Sequence, residues 1–257
     1  MRLRAGAATD RGRVRDRNED AYLLRADEGL FVVCDGMGGA PAGEVASQLA
    51  IEEIARDLHR AADTAASGGG LYLAHTSRLA DAVQRSNAFI YDQAQTEPDR
   101  AGMGTTVVGA WIRQHVASVA HVGDSRAYLW HAGRLEALTR DHSLPDEQHV
   151  LVRALGREPH VDVDLKEVPV QTGDYVLLCS DGLTRMVRDR ELARAIATLR
   201  DPQRICNGLV DAANENGGAD NITVVVVEVA DNRWRRLWNG WKESARRGHH
   251  VDTDAAV

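Results

Sequence analysis

Strand-length apolar runs recur along this chain, and three of them meet an aspartate at one end. Leu30-Phe31-Val32-Val33-Cys34 leads into Asp35-Gly36, and Tyr175-Val176-Leu177-Leu178-Cys179 leads through Ser180 into Asp181-Gly182. Asp220 stands just before Ile222-Thr223-Val224-Val225-Val226-Val227. Continuous β-branched runs of this length read as buried strands. Further runs at 19–26, 105–112, 115–122, 126–131, 134–138 and 163–170 alternate with turn signals. Helical spacing predicts a helix over 42–62, with Val45, Leu49, Ile54 and Leu58 on one side, and a second over 72–95 carrying Leu79, Val83, Phe89 and Ile90. Ala66-Ser67-Gly68-Gly69-Gly70 links them. Two more helices fit 189–199 and 202–216. Antiparallel strands with helices inserted in pairs predict an α+β fold of two packed sheets covered by helices.

Turn geometry gathers the acids. If Ala26-Asp27-Glu28-Gly29 is a four-residue hairpin loop, Arg25 pairs with Leu30, and counting outward sets Asp20 opposite Asp35. Glu19 then lies beside them. In antiparallel sheets the start of one strand adjoins the end of its neighbour, so Asp220 can meet Asp35 and Asp181. Asp124, in the turn Gly123-Asp124-Ser125-Arg126, can reach the same pole. Carboxylates converging without a cation repel one another and raise their own pKa values. Hard divalent ions such as Mg²⁺ or Mn²⁺ remove that cost, prefer oxygen ligands, and as a pair about 3.5–4 Å apart acidify a bridging water. Arg15 offers a planar fork suited to phosphate. Acids, cations and an arginine point to metal-assisted hydrolysis of a phosphate ester.

Composition narrows the setting. The 257 residues are 44% hydrophobic, enough for one large domain with a tail. A net charge of −7 argues against a nucleic-acid partner. Cys34, Cys179 and Cys206 are widely spaced, and two lie inside apolar runs, as expected of buried thiols in a reducing compartment. With no apolar N-terminal segment of signal length and no run long enough to span a membrane, a cytoplasmic location is expected.

These residues resemble a known family. Arg15-Asp16-Arg17-Asn18-Glu19-Asp20, Asp35-Gly36-Met37-Gly38-Gly39, Gly104-Thr105-Thr106, Val122-Gly123-Asp124-Ser125-Arg126, Arg140-Asp141-His142-Ser143, Ser180-Asp181-Gly182-Leu183 and Ala219-Asp220-Asn221-Ile222-Thr223 occur in the order found in metal-dependent serine/threonine protein phosphatases of type 2C. The chain looks like a bacterial member over about residues 3–230. The resemblance implies a four-layer αββα sandwich and two Mn²⁺ or Mg²⁺ ions, with a third in bacterial relatives. It implies that Asp35 bridges the two metals, that Glu19 and the Gly36 carbonyl serve one, and that Asp181 and Asp220 serve the other. Asp124 with Asp181 would bind the third. Asp20 would orient the nucleophilic water, Arg15 would hold the substrate phosphate, and Asn221 would support Asp220 from behind. Phosphorylated proteins are the implied substrates and a Ser/Thr kinase the implied opponent; a monomer is expected.

The chain departs from the family twice. Met37 replaces the histidine of animal members, and a thioether cannot donate a proton. Only nine residues, Leu144 to Val152, separate Asp141-His142-Ser143 from Arg153-Ala154-Leu155-Gly156, so the flap beside the active site is short and the cleft should be more open. His142 is expected to hydrogen-bond locally and His121 to be a satisfied strand histidine. The catalytic domain is expected over 1–230 and a basic, Trp-rich tail over 231–257, disordered beyond Gly248. In that tail Trp234, Leu237, Trp238 and Trp241 form a helical stripe, which either packs on the domain or docks a partner or an acidic membrane surface. Two rival functions stay open: a phosphatase-fold binding module, which should lack a metal acid although none is missing here, and a hydrolase of small phosphate esters.

Overall fold

In a computed structural model, residues 1–37, 42–61, 72–144 and 150–231 are described. Eleven strands and five helices occur among them: β1 (Arg2–Asp10), β2 (Asp20–Arg25), β3 (Leu30–Met37), α1 (Ala42–Ala61), α2 (Ala74–Thr96), β4 (Gly104–Thr105), β5 (Val107–Arg113), β6 (Val116–Val122), β7 (Arg126–His131), β8 (Arg134–Ala137), β9 (Asp164–Pro169), β10 (Tyr175–Cys179), α3 (Asp181–Thr184), α4 (Asp189–Leu199), α5 (Pro202–Glu215) and β11 (Ile222–Ala230). One sheet has the order β1-β11-β10-β7-β8, the other β2-β3-β5-β6-β9. Among the described residues every pairing between neighbouring strands is antiparallel.

Side-chain alternation builds the layers. Leu30, Val32 and Cys34 of β3 join a cluster with α1 and α2, whereas Phe31 and Val33 enter a second cluster between the sheets. In β10, Val176 and Leu178 face that same intersheet space, and Leu177 and Cys179 face α4 and α5. Both faces of these strands are covered, so their sequences read as unbroken apolar runs. The result is the expected αββα sandwich.

The predicted elements largely form, with corrections. The strand Arg2–Asp10 was not anticipated, because Arg2, Arg4, Gly6 and three alanines dilute its apolar signal; it pairs along the whole of β11 at the sheet edge. On α1 the fully buried residues are Ala46, Ala50 and Ile54, with Leu58 nearly so, whereas Val45 and Leu49 are only partly buried: small side chains let the helix sit close on the sheet. On α2, Leu79, Val83 and Ile90 are buried but Phe89 is exposed. Cys34, Cys179 and Cys206 are free and buried, as expected. The short flap is closed at its base by an antiparallel bridge between Ser143 and Leu151. The tail beyond residue 231, like the Gly38-Gly39 turn and the 66–70 link, lies outside the described residues.

Candidate metal centre

The hairpin register is the one counted from the turn: Arg25 pairs with Leu30 and Asp20 with Asp35. Directly paired residues share a sheet face. Asp35 continues the Phe31–Val33 parity, so both carboxylates enter the intersheet space at its open end. There they meet Asp124, Asp181 and Asp220, whose charges all act on Asp35. Arg15 and Asp220 act on Glu19. Sequence reasoning thus placed Glu19, Asp20, Asp35, Asp124, Asp181, Asp220 and Arg15 at one pole, and the structure brings all of them there.

Each donor is fixed by a neighbour from another motif. The Asp35 N–H donates to Thr106 Oγ1 at 3.0 Å, and its carbonyl accepts from Thr105 Oγ1 and the Thr106 N–H, both at 2.9 Å. Thr106 Oγ1 lies 2.7 Å from Ser125 Oγ, tying that support to the turn bearing Asp124. The Gly36 N–H donates to the Glu19 carbonyl at 3.2 Å. A side chain at Gly36 would strike the Gly43 carbonyl, and one at Gly43 would strike the Glu19 carboxylate, so both glycines are set by close approach of α1. Asp181 is not quite at a strand end: it is the first residue of α3, with Ser180 in the capping position.

Asn221 supports Asp220 through its backbone and does more with its side chain. Its backbone N–H donates to Asp220 Oδ1 at 2.9 Å. Its side chain instead pins the 11–19 loop, accepting from the Glu19 N–H at 2.8 Å and donating to the carbonyls of Arg11 and Arg17 at 2.9 and 2.8 Å. Asn221 therefore holds the loop that carries Arg15 and Glu19.

The electrostatics are those of a site built for cations. Burial, then the neighbouring acids, pushes Asp35 well above the usual carboxylate range. Burial lifts Asp20 to about 7 although Ser180 Oγ donates to its Oδ2 at 2.7 Å. Burial and Asp181 lift Asp124 to about 7. Burial also raises Glu19 and Asp181. Asp20 Oδ1 and Asp181 Oδ1 are buried with no hydrogen-bond partner, a state that costs about 1–3 kcal/mol per group or more for a charged one. Only oxygen donors converge here, which suits a hard divalent ion. The residues present fit the implied Mn²⁺ or Mg²⁺ ions.

Two arginines partly offset this charge. Arg15 Nη2 donates to Asp220 Oδ2 at 2.8 Å, and that bond raises the Arg15 pKa. Arg185, which sequence reasoning missed, pairs with Asp181 and lies 3.7 Å from Asp220 and 3.9 Å from Asp124. The available signal was its spacing four residues after Asp181, one turn along a helix. Ser180, Thr106 and Gly43 were also missed as supports, because their roles depend on contacts across elements.

A four-layer sandwich with an oxygen-donor cluster at one end of its strands can hold hard divalent cations. Residues 9–214 match the family described as Protein phosphatase 2C. The chain belongs to the protein phosphatase 2C family. It is 38% identical over 248 residues to the serine/threonine phosphatase stp of Listeria monocytogenes, covering 88% of this chain and 96% of that one. It is 36% identical to the serine/threonine protein phosphatase PstP of Mycobacterium tuberculosis, covering 89% of this chain and 45% of that longer protein. Among solved structures, the PstP catalytic domain in complex with two manganese ions matches with a TM-score of 0.78 and 37% identity, over 90% of this chain and 99% of that one.

Proposed function

We propose that the protein removes phosphate from phosphoserine and phosphothreonine in proteins, opposing a Ser/Thr kinase, and does so with two Mn²⁺ or Mg²⁺ ions. The observation that carries this reading is the orphaned pair Asp20 Oδ1 and Asp181 Oδ1 inside a cluster of oxygen donors, in a chain of the protein phosphatase 2C family. Glu19, Asp35, the Gly36 carbonyl, Asp181 and Asp220 would hold the two ions, and Asp124 with Asp181 would hold a third. When bound, the ions supply Lewis acidity toward the phosphoryl oxygens and the attacking water.

The chain's own residues do the rest. Asp20, fixed by the Ser180 hydroxyl, orients the water and accepts its proton. Arg15, with 57% of its side chain exposed, leaves Asp220 to bind the substrate phosphate through two parallel N–H bonds. Met37 has no proton to give, so leaving-group protonation falls to solvent. Residues 1–230 form the catalytic unit, a cytoplasmic monomer, and the 231–257 tail serves to dock a partner or a membrane surface. Among the described residues no helix is long and apolar enough to cross a membrane.

Turnover of phosphopeptides and of p-nitrophenyl phosphate, with and without Mn²⁺, tests this reading. Mn²⁺-dependent phosphopeptide hydrolysis is expected, with Arg15→Ala raising KM by about tenfold, the worth of a charge-assisted hydrogen bond. Activity confined to small esters would replace the substrate class. Inactivity with any divalent ion would make the protein a binding module.

A further inference from the structure

Four of the seven residues from Arg11 to Arg17 are arginines, in a chain whose net charge is −7. Asp16 is the one acid among them. Arg11, Arg13, Arg15 and Arg17 are all exposed, and their loop borders the acidic cluster. Arg15 bonds Asp220, and the charge of Arg17 acts on Glu19. The stem of Arg13 lies against Gly218, two residues before Asp220, where an added Cβ would strike Arg13 Cγ. Arg13 and Arg17 thus flank Arg15, one over the segment leading to Asp220 and the other toward Glu19.

The loop is held in place without these two side chains. The Arg13 N–H donates to the Gly218 carbonyl at 2.7 Å, the Gly12 N–H to Asp10 Oδ1 at 2.8 Å and Asn18 Nδ2 to Thr9 Oγ1 at 2.8 Å. Asn221 Nδ2 donates to the carbonyls of Arg11 and Arg17. Gly12, at a φ of 79°, sits where a Cβ would strike the Asp220 carbonyl. Among the described residues no ion pair or side-chain hydrogen bond engages the guanidinium of Arg11, Arg13 or Arg17. Val14, between Arg13 and Arg15, is 68% exposed, more than any other large hydrophobic side chain described. A pinned backbone that presents uncommitted arginines around a bare apolar side chain is composed as a binding surface is, since arginine is enriched at interfaces and loops on a rigid scaffold carry recognition.

The charge of the surface selects its occupant. Like charges this close in sequence repel one another, and an anion relieves them. The protein's own acids cannot serve once cations occupy the acidic cluster, because that face is then positive throughout. A guanidinium fits a carboxylate and a phosphoryl group equally well, with two parallel N–H bonds to either. Residues two apart in a chain lie at most about 7 Å apart at their Cα atoms. Arginines at 13, 15 and 17 therefore match the alternate side chains of an extended peptide, which recur about every 6.6 Å on one side.

We infer that Arg13 and Arg17 select substrates in which the phosphorylated residue is flanked, two positions away, by a further anionic group, either a carboxylate or a second phosphoryl group, while Val14 contacts the peptide between them. This rests on the phosphoprotein reading above and names the class of sequence that the same site prefers.

The test uses the full chain with Mn²⁺ and fluorescent peptides in which a non-hydrolysable phosphonate replaces the phosphate, with binding read by anisotropy. Three peptides carry glutamine, glutamate or a further phosphonate two residues before and after the central one. Wild type should bind both anionic peptides about fivefold or more tighter than the glutamine peptide, an advantage that shrinks as salt rises. Arg13→Gln/Arg17→Gln should reduce the advantage to less than about twofold. Arg13→Lys/Arg17→Lys, which keeps both charges, should retain most of it, a rescue that a merely structural role would not give. The tighter of the two anionic peptides identifies the preferred source, acidic segments or multiply phosphorylated ones. Equal affinity of wild type for all three peptides, or an advantage that survives in Arg13→Gln/Arg17→Gln, overturns the inference. Failure to hydrolyse the matching phosphopeptides with Mn²⁺ would overturn the phosphatase reading instead, because anisotropy reads the arginines without turnover.

Discussion

Along β3, Phe31 and Val33 enter the space between the sheets and are fully buried among apolar neighbours. Two residues on, with the same parity, Asp35 enters that space at its end and meets the acids Asp20, Asp124, Asp181 and Asp220. On β10, Leu178 lies in the slab, and Asp181 follows three residues later in the acidic rim. One set of strands therefore makes a region whose contacts are all satisfied and another whose charges need something the chain does not supply. Stability is stored in the slab. The rim stores repulsion that Arg15 and Arg185 offset only in part and that cation binding relieves.

The strongest way to break this contrast is to neutralise the rim. Asp35→Asn should lower phosphopeptide turnover by about 1,000-fold, roughly 4 kcal/mol of transition-state stabilisation. In EDTA the same variant should melt above wild type, because a buried like charge is gone. Paired activity and melting measurements check this, and a variant that loses both activity and metal-free stability would contradict the division of labour. In the slab the opposite holds. Leu178→Ala should cost about 3 kcal/mol by cavity formation, measured by urea unfolding, while the folded fraction keeps its Mn²⁺ requirement.

The two regions were unequally legible in the sequence. The slab's strands announce themselves as apolar runs, and the Asp20–Asp35 register follows from counting across a four-residue loop. β1 was hidden because its side chains are small: α5 crosses so close that a Cβ on Gly6 would strike Gln203, while Leu3, Ala5 and Ala7 pack only partly buried against the intersheet cluster. In the rim the acids are readable because each is tied to a strand terminus. Arg185 and Ser180 are not, since an arginine on a helix or a serine before one is ordinary chemistry until the tertiary fold brings the acids to it. His121 was expected to find a partner but is buried with neither ring nitrogen hydrogen-bonded to a side chain, since strand position gives the face of a side chain and not what waits there.

A smaller effect sharpens the comparison through pH. Asp20 and Asp124 have folded-state pKa values near 7 against an ordinary value of 3.8, and Asp35 and Asp181 are shifted the same way. Between about 4 and 7 the folded, metal-free protein then binds more protons than the unfolded chain. Stability falls with rising pH wherever the folded state holds the extra protons. The contribution is fully present below about pH 4 and lost as pH rises through 7. In EDTA the Tm should therefore drop by about 5 °C or more from pH 5.5 to 7.5. Saturating Mn²⁺ should flatten or reverse that slope, since bound cations favour the ionised carboxylates. A flat melting profile in EDTA would show that the acids are not crowded.

Arg185 gives the smallest expected effect and the most specific one. It sits where a cation's charge is needed, against Asp181, Asp220 and Asp124, yet 40% of its side chain is exposed to solvent. A pair that exposed is worth about 1 kcal/mol or less, because water screens it. Within the metal-free protein Arg185 relieves part of the repulsion; when metal arrives it becomes a like charge beside the ions. Removing it should lower metal-free stability slightly and at the same time favour metal. Arg185→Gln is thus expected to reduce the Mn²⁺ concentration for half-maximal activity by about two- to fivefold, with kcat little changed. If the half-activation concentration instead rises, Arg185 supports the ligands more than it competes with their cargo, and the picture of a rim partly neutralised by its own arginine would have to be reversed.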